Sequence, residues 1–210
     1  MTTTADPAIR TVEELRAVVA EPNDGVKMKV GDALDEFARD FIAECPFIVL
    51  ATASAEGKAD ASPKGDDPGF VVVEDDHTLI IPDRPGNNLA YGLTNIIESG
   101  QLGVLFIIPG TTETLRVNGR AELTRDPQLL EDLGARGKPA VLAIRVHVEE
   151  VFFHCAKAFI RSKLWKHETW APKKKISFGA MFAAKLDAAD NEELVTMIDE
   201  SIEENYRTAL

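Results

Sequence analysis

The 210-residue chain is short of cysteine, of basic residues and of long apolar runs, and each shortage narrows its class. Its two cysteines, Cys45 and Cys155, are too few for a disulfide framework and form no C-x-x-C pair. One bridge stays open as a reading beside two buried thiols in a reducing cytosol. Against 35 Asp and Glu stand only 23 Lys and Arg, a formal net charge of −12. Binding to DNA or RNA depends on neutralising phosphates, so this balance argues against nucleic acid as the main partner. The longest apolar stretch, Leu102 to Pro109, has strand length and falls far below the ~20 residues of a membrane span. Met1-Thr-Thr-Thr-Ala-Asp-Pro7 lacks the basic and apolar regions of a signal peptide. The expectation is a cytoplasmic protein with no membrane segment.

Chemical signatures are also missing. The chain has no G-x-G-x-x-G, no Walker A pattern and no G-x-S-x-G elbow, so neither those nucleotide loops nor that hydrolase site is supported. His77, His147, His154 and His167 are scattered and share no metal-ligand spacing with the cysteines, so no metal is expected. His154 and Cys155 are adjacent, and neighbours on a strand point to opposite faces, which argues against a base–nucleophile pair.

What is present reads as one unit over 1–210, with a helical segment over 1–45 and an acidic helix over 190–208. Thr11 and Glu14 form a capping-box pattern before Leu15, Val18 and Val19. Leu34, Phe37, Ala38, Phe41, Ile42 and Cys45 repeat at the helical period behind Asp32 as the predicted N-cap, and Pro46 ends that helix. Strand text follows. Phe47 to Ala53, then Lys58 to Ser62, flank a Ser-Ala-Glu-Gly turn; Phe70 to Val73 and Leu79 to Ile81 flank Glu-Asp-Asp-His. In that second hairpin Asp75 and Asp76 read as turn residues. Leu89, Leu93, Ile96 and Ile97 predict a helix, and Gln101 to Ile108 a strand. Thr114 to Leu123 alternates, with Arg116, Asn118, Arg120 and Glu122 on its polar face. Asp126-Pro127 predicts an N-cap and first-turn proline, and Leu142 to Val148 alternates again. The last apolar stripe is Leu194, Val195, Ile198 and Ile202. Strands mostly in hairpins, without βαβα alternation, predict a mainly β chain with peripheral helices: an antiparallel barrel whose closure removes its edges.

Three stretches carry candidate chemistry. Ala61-Ser-Pro-Lys-Gly-Asp-Asp-Pro-Gly69 reads either as a ligand loop around Lys64 or as an ordinary polar connection. In Pro82-Asp-Arg-Pro-Gly-Asn-Asn88, free N–H groups at a helix start with Arg84 suit a phosphate; the alternative is a turn capped by Asn87 or Asn88. Arg116 and Asn118 either meet an anionic ligand on the barrel wall or face solvent. The six basic residues from Arg161 to Lys175 meet only Glu168, whereas eight acidic residues from Asp187 to Glu204 meet no Lys or Arg. The basic strip suits a small anionic ligand or a solvated face. Together these signals point to one phosphorylated ligand.

Five motifs in order resemble the pyridoxamine 5′-phosphate oxidase-like flavoproteins, and more closely an uncharacterised bacterial branch. They are Ala51-Thr-Ala-Ser with Ala61-Ser-Pro-Lys-Gly-Asp-Asp-Pro-Gly-Phe70, Leu79-Ile-Ile-Pro-Asp-Arg-Pro-Gly-Asn-Asn88, Leu105-Phe-Ile-Ile-Pro-Gly110, Glu113-Thr-Leu-Arg-Val-Asn-Gly-Arg-Ala121 and Cys155-Ala-Lys-Ala-Phe-Ile-Arg-Ser-Lys-Leu-Trp165. The resemblance covers roughly Phe37 to Trp170. It implies a split β-barrel of the FMN-binding type that forms a homodimer and holds flavin mononucleotide near the shared interface. By motif, Ser62, Pro63, Lys64 and Gly65 would lie along the flavin ring, and Arg84, Asn87 and Asn88 at its phosphate and ribityl end. Arg116 and Asn118 would approach from the strand wall, and Arg161, Ser162 and Trp165 would close the site, from the partner subunit in this reading. Trp165 either stacks on the ring or is an interface aromatic.

Two departures matter. Asn88, Leu89 and Thr94 stand where related members often carry arginine, and the C-terminal Arg and His pattern of the true vitamin B6 oxidases is missing. The implied activity is therefore FMN-dependent oxidoreduction of an unidentified small molecule, with NAD(P)H a candidate donor and no side chain singled out as acid or base. The alternatives are a flavin carrier or redox sensor without turnover, or a variant that holds haem or a deazaflavin.

Overall fold

A computed structural model describes residues 7–208. Met1 to Asp6, on which most of the leader reading rests, lie outside the described residues. The first helix, α1 (Val12–Val18), starts at the expected capping box: Thr11 Oγ1 accepts from the Glu14 N–H, and the Glu14 carboxylate accepts from the Thr11 N–H, both at 3.2 Å. None of its residues is buried. A one-turn helix, α2 (Asp24–Lys27), follows, and then α3 (Glu36–Glu44). The N-cap of α3 is Asp35, not Asp32. The Asp35 Oδ1 accepts from the Ala38 N–H at 2.8 Å, and Leu34 stays outside the helix because its N–H is held by the Asp76 carbonyl.

Next come β1 (Phe47–Ala53), β2 (Ala59–Gly65), β3 (Val72–Asp75), β4 (Thr78–Asp83), α4 (Tyr91–Ser99), β5 (Gln101–Ile107) and β6 (Thr114–Thr124). They are followed by α5 (Pro127–Asp132), capped by Asp126 as expected, and by β7 (Leu142–His154). The seven strands form one antiparallel sheet in the order β2-β1-β5-β6-β7-β4-β3. Strand β2 runs through Ser62, Pro63, Lys64 and Gly65, so half of the expected loop is strand. Proline is tolerated there because β2 is an edge strand, where one missing N–H breaks no central ladder.

The sheet wraps a large apolar core in which Ile42 of α3, Ile48, Leu79, Ile81, Phe106, Leu115, Ile144 and Val146 are all fully buried, and a smaller cluster of Ile80, Leu133, Ala140 and Ala143 lies under α5. Removing aliphatic and aromatic side chains from water to this degree is the main driving force for the curl. In β6 the expected alternation holds: Leu115 and Val117 face the core, and Arg116 and Asn118 face out.

The expected closure of the barrel does not occur. Among the described residues no strand hydrogen-bonds the outer edge of β2, and β3 covers only the start of β4, leaving Ile81 to Asp83 without a second strand neighbour. Each of these two free edges carries a proline, Pro63 and Pro82, which has no N–H for a ladder. The split is spanned by charge instead. Lys64 at the end of β2 is paired with Asp83 at the end of β4. Asp66 takes Arg84 Nε at 2.8 Å and Arg136 Nη1 at 3.1 Å. The Arg84 Nη1 also donates to the Leu133 carbonyl at 2.8 Å.

Beyond the sheet lie α6 (Lys157–Ser162), α7 (Phe178–Lys185) and α8 (Glu192–Thr208). The acidic helix is present, and α7, which the sequence pattern missed, lies against it. They touch so closely at Gly179 that an added Cβ would sit 2.1 Å from the Val195 carbonyl oxygen. Both cysteines are free; Cys45 is buried and Cys155 exposed, which corrects the expectation of a bridge or of two buried thiols. Among the described residues no helix is long and apolar enough to cross a membrane.

Burial raises the Asp66 carboxyl, but the Asp67 N–H, Arg84 and Arg136 outweigh it and hold the group below its ordinary 3.8. A carboxyl depressed on folding stabilises the fold above its unfolded value, and that stability is lost as pH falls through the folded value. Urea unfolding of Asp66→Asn at pH 7 should show a loss of about 2 kcal/mol, below the usual range for breaking a buried pair because both guanidinium groups keep some solvent. The wild type should lose stability as pH falls below about 4, and the variant should lose less over that range.

Candidate functional site

Alternation along β2 sends Asp60, Ser62 and Lys64 inward and Ala59, Ala61, Pro63 and Gly65 outward. The inward trio lies under α4. Ser62 Oγ donates to Asp60 Oδ2 at 3.0 Å, and nearby Asn95 of α4 donates to Thr52 Oγ1 at 3.0 Å in a buried pair. Gly92 lets the helix come this close, since a Cβ there would meet Asp60 Oδ2 at 3.3 Å and Ser62 Oγ at 3.5 Å. Lys64 and Arg84 meet at the split, each already matched by a carboxylate.

The segment from Arg84 to Ala90 is irregular. Asn87 Oδ1 accepts from the Leu89 N–H at 3.0 Å, and Asn88 and Ala90 both hold left-handed backbone, with φ of 59° and 51°. Ala90, not Asn87 or Asn88, is the N-cap of α4, and no side chain caps that helix. The first-turn N–H groups of α4 therefore have no side-chain acceptor, the condition that favours an anion at a helix start.

The outer face of β2, β1, β5 and β6 is floored by small residues. Ala51, Ala53, Ala59, Ala61 and Gly103 line an open groove of about 690 Å³ bounded on one side by Asn118. Asn118 Nδ2 donates to Glu150 Oε1 at 2.7 Å, so the amide is held across the β6–β7 pair. A side chain at position 103 would crowd it, since a Cβ there lies 3.1 Å from Asn118 Oδ1. Arg116 stands opposite Phe152 with its guanidinium carbon 5.5 Å from the ring centroid.

The remaining candidates sit beyond β7. Ser162 Oγ donates to the Phe159 carbonyl, and Arg161 is exposed. Trp165 stacks on Phe159 at 5.7 Å between centroids and donates Nε1–H to the Thr111 carbonyl at 2.8 Å, so within its own chain it fastens α6 to the β5–β6 turn. The twelve candidate residues thus fall into three groups: the split with the α4 entry, the outer groove wall, and the α6 end.

Sequence reasoning missed the acidic partners Asp60, Asp66, Asp83 and Glu150, together with Arg136 and Lys29. One signal was present: Lys64 precedes Asp66, and Asp83 precedes Arg84, so each cation travels with an acid. The Asp75 carboxylate accepts from the His77 N–H at 2.7 Å, which is the expected turn chemistry. Among the described residues, no group of three or more His, Cys, Asp or Glu gathers in a metal-binding arrangement.

Comparison with known proteins adds one match in sequence. The family described as pyridoxamine 5′-phosphate oxidase matches residues 34–155. No curated protein matches the chain. Among solved structures, HupZ of Group A Streptococcus is 21% identical and covers 57% of this chain and 92% of its own, with a TM-score of 0.46. An FMN-binding protein of Syntrophomonas wolfei is 9% identical, covering 56% and 88% at a TM-score of 0.43. HutZ, the heme storage protein of Vibrio cholerae, is 18% identical, covering 57% and 93% at a TM-score of 0.42.

The two thiols differ in environment. Burial pushes the Cys45 thiol up, while the Lys157 N–H beside the exposed Cys155 draws its thiol down. The thiolate is the reactive form. A disulfide reagent such as Ellman's should therefore titrate one thiol per native chain and two after unfolding, and Cys155→Ser should remove the native one.

Proposed function

The chain belongs to the pyridoxamine 5′-phosphate oxidase family, and from that premise we propose that it binds flavin mononucleotide between two copies of itself and acts as an oxidoreductase on a small molecule. The observation that carries this reading is the outer groove. Among its lining residues Ala51, Ala53, Ala59, Ala61 and Gly103 carry no side chain longer than a methyl, which leaves room for a planar ring against the sheet, and Asp60, Gln101, Asn118 and Glu149 add polar groups. Phe47 is exposed on the same face of β1, and an apolar sheet face of this kind is stable when a second copy covers it.

The residues present fit the cofactor. The uncapped first turn of α4, the remaining N–H groups of Arg84 and the remaining ammonium protons of Lys64 suit its phosphate. By family resemblance Ser62, Pro63, Lys64 and Gly65 flank the ring and Asn87 and Asn88 hold the ribityl and phosphate end; of the β2 residues, Pro63 and Gly65 share the outward face with the groove, whereas Ser62 and Lys64 face inward. Arg116 and Asn118 approach from the wall. Arg161, Ser162 and Trp165 of a second copy close the site. Bound flavin supplies hydride or electron transfer, while the chain's own residues bind it, orient it and exclude water.

One observation favours a second reading. Lys64 is paired with Asp83, and Arg84 and Arg136 share Asp66, so of three cations at the split only one positive charge is left unmatched to hold a phosphate or a reduced flavin anion. That suits a flavin carrier or redox sensor without turnover.

The absorption spectrum of the purified protein tests both. The visible bands of oxidised flavin are expected; a Soret band, or a colourless protein that does not quench added FMN fluorescence, would overturn the flavin reading. Steady consumption of NADH or NADPH with an electron acceptor selects the enzyme over the carrier. Gly103→Val should abolish FMN binding, with a stability loss of about 1–3 kcal/mol because the new side chain crowds Asn118.

A further inference from the structure

Most partly buried cations of the barrel have a carboxylate: Lys64 has Asp83, Arg84 has Asp66, Arg39 has Asp76 and Arg145 has Glu74. Arg116 has none among the described residues. The acid on its own face, Glu150, is held by the Asn118 amide. Arg116 instead lies over the Phe152 ring, and a second cation lies 5.6 Å from the same ring, the Nζ of Lys29. Lys29 arrives on a segment fastened to β7 by reciprocal hydrogen bonds between Gly31 and Val151, and it donates to the Phe153 carbonyl at 2.9 Å. An ammonium has three protons, so Lys29 keeps two.

The third member is His154. Its ring is 4.9 Å from that of Phe152, and its Nε2 is sealed from solvent with no hydrogen-bond partner. A buried nitrogen without a partner is costly and rare, and where one occurs it points to a missing acceptor or donor. Burial first, then the positive charges of Arg116 and Lys29, hold the imidazole below its ordinary pKa. One oxyanion placed among these groups answers all three deficits. A guanidinium offers a planar fork that matches a carboxylate or phosphate.

A neighbouring cavity of about 310 Å³ shares Lys29 and Phe152 with this cluster, but Arg116 and His154 do not line it, and its Leu115 and Val151 face the core. Its wall includes Met28, Phe37, Leu115 and Phe153, all apolar. Asp35, the acid among its lining residues, is engaged in capping α3. We propose that Arg116, Lys29 and His154, gathered around Phe152, form an anion site on the outer face of β6 and β7 that takes the carboxylate or phosphate of a small organic acid. The site is argued without flavin, so it stands or falls separately from the function proposed above.

The test uses the full-length protein with isotope-labelled histidine, following the imidazole signal of His154, assigned by its loss in His154→Gln. Benzoate and inorganic phosphate are the probes, with chloride at matched ionic strength as control. A bound anion favours the imidazolium, so the His154 pKa should rise with either probe and not with chloride. Arg116→Gln should weaken the apparent affinity about tenfold or more, the loss of roughly one charge-assisted hydrogen bond, and Arg116→Lys should fall between it and wild type. Arg145→Gln, remote from the cluster, should change nothing. An unmoved His154, or an equal response in wild type and Arg116→Gln with both folded by circular dichroism, would falsify the site.

Flavin binding then names the source of the anion. If Arg116→Gln weakens FMN but not riboflavin, the site takes the cofactor's phosphate. If it weakens benzoate and neither flavin, the site takes the acid group of a substrate. A chain that binds benzoate in this way but no flavin supports the site and overturns the flavin reading.

Discussion

The structure depends on how its split is held. A seven-stranded antiparallel sheet wraps the core, yet its two free edges never join by backbone hydrogen bonds. Lys64 with Asp83, and Asp66 between Arg84 and Arg136, supply the tie. Asp66 is the centre of this arrangement, because its side chain is 3% exposed while taking two guanidinium groups. A carboxylate so placed is tolerated only because it is doubly paired, and either arginine alone would leave it under-satisfied. The same ties set the candidate site: they fix the ends of β2 and β4 and the start of the irregular entry to α4.

The site therefore has two unlike faces. Inside the split, three cations meet two carboxylates and leave one positive charge. On the outer wall, Arg116 and Lys29 remain uncancelled, and His154 has a sealed nitrogen. An acidic ligand would meet positive potential at the β6–β7 wall. Electrostatics of this kind orients a ligand more than it strengthens its binding.

Much of this was legible in the sequence where one face of an element is buried. The alternation from Thr114 to Leu123 read correctly because the core takes every second residue. The capping box at Thr11 and the Asp126-Pro127 start read correctly because caps are local. Legibility failed where tertiary partners decide. Ser62 to Gly65 carries a proline and a glycine, which argue for a loop, yet an edge strand tolerates both. Asp32 and Asp35 are both plausible caps; the Asp76 carbonyl decides between them by holding Leu34. Helix α7 escaped notice because Phe178, Met181 and Phe182 among alanines show no clean stripe, and its partner α8 defines its buried side. Around the candidate residues the acidic partners were not legible, since pairing of Lys64 with Asp83 is a property of the curled sheet.

An open ladder also governs how the molecule moves. The β1–β2 hairpin hangs on β5, and the β3–β4 hairpin hangs on β7. Parting these two flaps exchanges ion pairs for hydrated charges and breaks no ladder bond between them. Breathing of the barrel should then follow ionic strength, because partly exposed charges are screened by salt whereas backbone ladders are not.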